Sequence, residues 1–317
     1  MTRVLFGRVF GIGNAVMSVP AIKHYRDTPG FEVTVVVGTT PDDAGALDVL
    51  RMLQGVRVVT DAELMEHVTA WSRHSGEMYP RFDHGVLSIP HDGRWGQLFP
   101  HICERVWDGR TRPDPSTTGF VSWERHEALY QLEVAEQVTG RQRQPGPIDP
   151  SFYDHPVHQS KTVYLGVGYK RDVAGFWARK HWGDDNFVRF AELVLQRGDS
   201  YGVMVTGNAD DMRSIGRRLA ALSPRVSVGM PPLGASISAV SQVGSYVGND
   251  TGMMHVAASM GKPVVGIFNF EGTIQKNHPL CPNWSAMVGY GPDGPPTPRM
   301  VYDTWSEMME GACRESS

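Results

Sequence analysis

Tyr246-Val247-Gly248-Asn249-Asp250-Thr251-Gly252-Met253-Met254-His255-Val256-Ala257-Ala258 reads as a buried strand, a tight polar turn and the start of a helix. The turn sets an acid, a hydroxyl, a glycine backbone and an imidazole within about two helical turns of one another. A helix N-terminus presents unpaired N–H groups and a partial positive charge. Thr251 and Gly252 at that end therefore make a seat for a phosphate. The same residues also satisfy an ordinary strand-to-helix connection of an α/β sheet, with Asp250 or Thr251 as N-cap.

Working outward, the C-terminal half alternates strands and helices. Strands are expected at 162–167, 202–206, 226–228 and 264–268, and helices at 184–196, 210–222 and 237–243. An amphipathic helix over 301–311 closes the chain, with Met300, Tyr302, Trp305 and Met309 as core contacts. The N-terminal half opens with a strand over 4–10, the turn Gly11-Ile12-Gly13-Asn14 and a helix placing Ala15, Val19, Ile22 and Tyr25 on one face. Pro20 fits that helix only near its start or at a kink. The β-branched run 33–37 reads as a parallel strand buried on both faces. Ala46, Leu47, Leu50 and Leu53 suggest a helix, and 56–59 and 85–89 suggest strands. Residues 90–96 form a polar loop, and a long helix over 123–138 stops at Gly140.

Such alternation indicates parallel α/β sheets. The Pro-, Gly- and Gln-rich stretch 142–156 is the linker candidate. The expected organisation is two Rossmann-like, doubly wound domains, 1–150 and 151–317, facing an interdomain cleft, with a C-terminal helix able to pack back on the N-terminal domain. A length of 317 residues accommodates two domains of ordinary size.

Composition narrows the function classes. With 41% hydrophobic and 20% charged residues the chain reads as a soluble globular protein. A formal charge of −4 provides no global basic footprint for nucleic acid. Cys103, Cys281 and Cys313 are odd in number and far apart, which suggests neither a disulfide framework nor a zinc site and fits a reducing compartment. No signal peptide is evident, and no apolar run approaches the roughly 18 residues of a membrane span. The expected location is cytoplasmic, compatible with a peripheral position at the inner face of a membrane.

In doubly wound sheets ligands bind outside the carboxyl ends of the strands. The polar candidates all fall there: Gly11 to Asn14, His91 to Arg94, Gly168 to Lys170, Gly207 to Asp211 and Asp250 to His255. Lys180, before the helix at 184, can neutralise a phosphate or be an ordinary surface lysine; Trp182 reads as packing. Asp210 or Asp211 can accept hydrogen bonds from ribose hydroxyls, or both are helix-start acids favoured by the macrodipole. Gly11-x-Gly13 lacks the third glycine of a dinucleotide fingerprint, since position 16 is Val16; it allows close approach of a sugar or phosphate, or is simply a tight turn. P-loop, HExxH and Gly-x-Ser-x-Gly motifs are absent.

Three segments together resemble glycosyltransferase family 9, the heptosyltransferase-like enzymes of the GT-B fold. They are Gly11 to Ala21, Lys180-His181-Trp182 with the helix carrying Phe187, Phe190, Ala191 and Leu193, and Gly248 to Ala258 followed by Gly261-Lys262-Pro263-Val264-Val265-Gly266-Ile267-Phe268. The resemblance implies inverting transfer from a nucleotide-sugar cosubstrate held by the C-terminal domain. It places Lys180, Thr251 and Gly252 near the phosphates and Asp250 and His255 at the donor or reaction site; Gly168, at a strand end of the same domain, is a further donor-binding candidate. An acid near Asp210 or Asp211 would meet the ribose. The N-terminal domain would hold the acceptor, with Gly13, Asn14 and Arg94 lining it.

One position departs from the family pattern. Heptosyltransferases often carry an aspartate after the first-loop glycine, proposed as general base, where this chain has Asn14. A carboxamide cannot take a proton from a hydroxyl at neutral pH. Asp92 or His91 is the expected base instead, unless Asn14 only positions the acceptor. With no Asp-x-Asp motif, no metal and no cofactor beyond the nucleotide-sugar is expected. The expected acceptor is a bacterial glycan or lipid-linked saccharide of lipopolysaccharide type, and the sugar a hexose, pentose or heptose. Two alternatives stand beside it: a bacteriophage-type transferase acting on a hydroxylated DNA base, and a nucleotide-sugar-binding protein without transferase activity.

Overall fold

The computed structural model describes residues 1–9, 11–75, 82–87, 93–107, 126–153, 160–169, 180–269, 273–290 and 294–315. The chain divides into two compact units, Met1–Tyr153 and Asp154–Ser317.

The N-terminal unit is built on a five-stranded sheet, β1 (Thr2–Val9), β2 (Phe31–Val37), β3 (Arg57–Thr60), β4 (Phe82–Leu87) and β5 (Cys103–Trp107), in the order β3-β2-β1-β4-β5. Its pairings are parallel. Val33 and Val35 to Val37 are buried, as a strand covered on both faces requires. The helices are α1 (Ile12–Arg26), α2 (Pro41–Arg51), α3 (Asp61–Ser75), α4 (Gly93–Ile102) and α5 (Glu127–Thr139). Gly140 ends α5 in the left-handed conformation, as expected.

Several local readings needed correction. α1 continues through Pro20, which is buried in mid-helix and so is not near the helix start. The lost bond to the Val16 carbonyl is outweighed by burial of Val16, Val19, Ile22 and Tyr25 on the same helix. The polar loop at 90–96 gives way at Gly93 to α4. That helix exists because Phe99 and Ile102 are buried in the unit's core beside Leu5 and Leu87. Phe99 lies so close over Gly7 and Gly85 that a Cβ at either would collide with its ring. α3 and β5 carried no clear signal of their own.

The C-terminal unit holds six parallel strands, β6 (Thr162–Gly166), β7 (Gly202–Thr206), β8 (Val226–Gly229), β9 (Ser245–Asn249), β10 (Val264–Phe268) and β11 (Trp284–Val288). Their order is β11-β10-β9-β6-β7-β8. Around them lie α6 (Asp184–Gln196), α7 (Ala209–Asp211), a π turn (Met212–Gly216), α8 (Arg217–Ala220), α9 (Leu233–Gln242), α10 (Gly252–Ser259), α11 (Thr273–Asn277) and α12 (Pro298–Glu315). The helix expected over 210–222 is thus interrupted by a π turn.

α12 packs on α6, where Val301 and Trp305 join Phe187, Phe190 and Ala191 in one core. The Trp305 indole donates to Ser245 Oγ at 2.8 Å, and the Arg197 guanidinium lies 5.6 Å from its ring. Met300, expected in the core, is 54% exposed. Val301 and Trp305, four residues apart, take the buried stripe, and Met300 sits about 100° around the helix from Val301.

Candidate active site

β6 and β9 are neighbours, but the chain leaves β6 towards β7 and leaves β9 towards β10 on the opposite side. That is the switch point at which doubly wound sheets open a crevice at the carboxyl ends of their strands. Gly168 follows β6, and Asp250 and Thr251 follow β9, so both border it.

Asn249 organises this place. It is fully buried; its Oδ1 accepts the Trp182 N–H at 3.0 Å, and its Nδ2 donates to the Val167 and Gly168 carbonyls at 3.2 and 3.3 Å. One carboxamide therefore ties the strap at Lys180–Trp182 to the end of β6. Trp182 is buried, as expected of a packing residue, and its indole donates to the Pro296 carbonyl at 2.8 Å. His181 stacks on Tyr169, centroids 4.1 Å apart.

The strap delivers Lys180 to Asp250. Nζ lies 2.6 Å from Asp250 Oδ2 and 3.4 Å from the Asp250 carbonyl. The Asp250 side chain is only 4% exposed and that of Lys180 13%, so this is a buried ion pair. Thr251 is the N-cap residue of α10, but its hydroxyl makes no capping bond to the helix. Its Oγ1 instead lies 3.3 Å from Tyr246 Oη, which donates to the Asn249 carbonyl at 3.0 Å. The N–H groups of the first turn are thus not consumed by the cap residue, and the helix dipole adds a positive field there. Tyr246 itself is buried and stacks on Tyr164 at 5.9 Å. Its ring crosses Gly166, where a Cβ would collide with the phenol. β6 and β9 also approach so closely that a Cβ on Gly248 would sit 2.6 Å from Gly166 Cα.

His255, one turn into α10, is buried, and burial lowers its pKa from 6.5 to about 4. Asp250 pulls the value up, and Lys180 and His278 push it down. Its imidazole is therefore neutral at pH 7. Between about pH 4 and 6.5 the unfolded chain binds a proton here that the folded unit excludes, so stability rises with pH across that window. The difference is worth about 3 kcal/mol. In His255→Gln, most of the pH slope measured by urea titration across this window should vanish; a slope equal to that of the parent would remove His255 as its source.

Gly207 and Gly168 flank Asp211. A Cβ on Gly207 would sit 2.8 Å from Asp211 Oδ2, and one on Gly168 3.5 Å. Asp211 is buried and its Oδ2 accepts the Asn208 N–H at 3.1 Å in a capping box. Asp210 is exposed and pairs with Arg213. The two aspartates, equivalent in sequence, are thus physically different: one is fixed beneath the ends of β6 and β7, the other faces solvent.

In the N-terminal unit the corresponding switch point lies between β1 and β4. Gly11 takes φ 70° at the N-cap of α1, a conformation glycine adopts freely. Gly13 and Asn14 follow in the first turn, half-buried; the Asn14 carbonyl accepts the Ser18 hydroxyl at 2.7 Å. Arg94 belongs to the first turn of α4, but its side chain, like His91 and Asp92 entirely, lies outside the described residues. Among the described residues no group of three or more His, Cys, Asp or Glu side chains is placed to hold a metal ion. No described helix is long and apolar enough to cross a membrane.

Residues 171–284 match the model of glycosyltransferase family 9 (heptosyltransferase). Lipopolysaccharide heptosyltransferase 2 of Escherichia coli K12 is 29% identical over 101 residues, 30% of this chain and 28% of the relative. The match thus spans little more than a quarter of that relative's length. The solved structure of E. coli heptosyltransferase WaaC with ADP superposes with a TM-score of 0.74 at 15% identity, covering 97% of this chain and all of the other. That of E. coli ADP-heptose lps heptosyltransferase II gives 0.72 at 18% identity, with both chains covered completely. The fold is that of the GT-B heptosyltransferases, and the stretch 171–284 is similar to family 9. The segment matched by the family model contains Lys180, Asp210, Asp211, Asn249, Asp250, Thr251, Gly252 and His255. Asn14 and the whole N-terminal unit lie outside it. None of these relatives supports a nucleic-acid acceptor.

Sequence reasoning passed over Asn249 and Tyr246 as functional positions. A signal existed: an amide and a phenol at the ends of an otherwise apolar strand must find partners once buried.

Proposed function

We propose that this chain is an inverting glycosyltransferase that moves a heptose from a nucleotide-sugar to an acceptor hydroxyl in lipopolysaccharide-type assembly, without a resident metal or cofactor. The observation that carries the reading is the buried Lys180–Asp250 pair at the open N-terminus of α10 on the β6/β9 switch point. Thr251, Gly252 and Lys180 receive the diphosphate, and their positive field stabilises charge developing on the departing nucleotide. Asp250 holds Lys180 in place, and neutral His255 fills the helix beneath it. Gly168 lets the ligand approach the end of β6, and Asp210 or Asp211 meets the ribose. The N-terminal unit takes the acceptor through Gly13, Asn14 and Arg94. Since a carboxamide at position 14 cannot act as base, Asp92 or His91 takes the proton of the attacking hydroxyl.

The match of residues 171–284 to the family 9 model and the chain's likeness in fold to heptosyltransferase structures support this reading. The expected result is selective thermal stabilisation by ADP and ADP-heptose over the guanosine and uridine counterparts. A ligand at 100 times its Kd contributes about 2.7 kcal/mol to stability. No response to any nucleotide would sink the proposal. Release of ADP from ADP-heptose that depends on an added lipopolysaccharide-type acceptor would exclude a nucleotide-sugar-binding protein without transferase activity, whereas binding with no such release would leave one.

A further inference from the structure

We propose that Tyr246 is a positioning residue of the diphosphate seat, its phenol oxygen aiming the Thr251 hydroxyl and strengthening it as a donor to a phosphate oxygen. This role rests on the proposed function, in which the β9–α10 turn holds the diphosphate.

Tyr246 is fully buried on β9, and its ring stacks on that of Tyr164 of β6 with an interplanar angle of 16°. The phenol runs across Gly166 towards the carboxyl ends of the strands; a Cβ at position 166 would strike Tyr246 Oη. There the hydroxyl meets two oxygens of the turn, the Asn249 carbonyl at 3.0 Å and Thr251 Oγ1 at 3.3 Å. Packing alone does not call for that hydroxyl, since a phenylalanine would make the same stack.

A phenol has one proton to give and lone pairs with which to accept. A carbonyl can only accept, so the Tyr246 proton goes to Asn249, and the hydrogen shared with Thr251 comes from the threonine. Thr251 is thereby drawn away from the capping bond that a threonine at this position ordinarily makes. Burial, with smaller contributions from Tyr164 and the Asp250 carboxylate, raises the pKa of Tyr246 above the usual 10.0, so the phenol keeps its proton.

A phosphate oxygen also only accepts, and it calls on the same threonine proton. When Thr251 turns that proton towards the ligand, its lone pairs face the phenol, and the Tyr246 proton can swing to them from the Asn249 carbonyl. A hydroxyl that accepts one bond while donating another is the stronger donor. Without Oη, Thr251 is free to cap α10 and so to compete with the ligand for the first-turn N–H groups.

The test is a double-mutant cycle, read by calorimetric titration of ADP, GDP and UDP into the full chain. For the diphosphate that the parent binds, Tyr246→Phe should weaken binding roughly fivefold while keeping the ring and its stack. Thr251→Val should weaken it roughly tenfold, and adding Tyr246→Phe to Thr251→Val should change it by less than about twofold. In Thr251→Ser, which keeps the hydroxyl, Tyr246→Phe should again weaken binding roughly fivefold. Should Thr251→Val fail to fold, Thr251→Ala reads the same coupling. A tyrosine that only supports the strand ends would weaken binding equally with and without the Thr251 hydroxyl, so additive losses would overturn the inference, as would unchanged affinity in Tyr246→Phe. If none of the three diphosphates binds the parent, the seat itself fails and the Tyr246 role with it; if one binds and the losses are additive, the seat stands and only the Tyr246 role falls.

Discussion

Lys180→Met is expected to lose about 3–5 kcal/mol of stability in the C-terminal unit, because Asp250 then remains buried without its cation. The pair is 2.6 Å apart with the Asp250 side chain 4% exposed, so water cannot replace the ammonium cheaply. Met keeps most of the volume of the lysine stem, which confines the change to charge and hydrogen bonding. ADP affinity should fall by roughly a hundredfold or more, since an uncompensated carboxylate then faces the diphosphate. Lys180→Met combined with Asp250→Asn separates the two roles. The neutral pair should regain most of the stability, as apolar or neutral replacements of buried pairs generally do, yet remain weak for ADP. Guanidinium melts and ADP titrations on the three variants decide it. A stability change under about 1 kcal/mol in Lys180→Met would mean the pair is effectively solvated.

Asn249→Asp is the second large effect. The substituted side chain still accepts the Trp182 N–H, but it can no longer donate to the Val167 and Gly168 carbonyls, which Nδ2 now serves at 3.2 and 3.3 Å. Two carbonyls left without their donor cost about 1–3 kcal/mol each, and a second carboxylate beside Asp250 adds repulsion. Burial and the facing carbonyls raise the pKa of the new carboxyl above its unfolded value near 3.9. The deficit is therefore fully developed at neutral pH and shrinks as acid protonates the group, which restores a donor. That pH trend is opposite in sign to the one assigned to His255. A small deficit that does not change with pH would show that the Asn249 amide is not a clamp.

Most of the regular elements were legible because their signals are local. The α6 and β10 expectations matched the observed bounds, helped by Asp184 and Asp185 in the first turn of α6 and by an unbroken apolar run in Val264–Phe268. α4 was obscured by Gly93, Gly96 and Pro100, and its formation depends on Phe99 finding the glycine-lined face of β1 and β4. Met300 was misjudged because apolar character alone does not say which side of a helix faces the core.

The strand, turn and helix of 246–258, and the presence of an acid, a hydroxyl and an imidazole around that turn, follow from sequence alone, since they depend on periodicity and capping among near neighbours. What only the tertiary structure decided is who meets whom at that turn. Lys180 reaches Asp250 across 70 residues, and Asn249 joins Trp182 across 67 and Val167 across 82. Those partnerships exist because β9 inserts beside β6 rather than beside β8, its predecessor in the chain. Such a choice is made by the packing of whole strands and helices, and no run of adjacent residues encodes it.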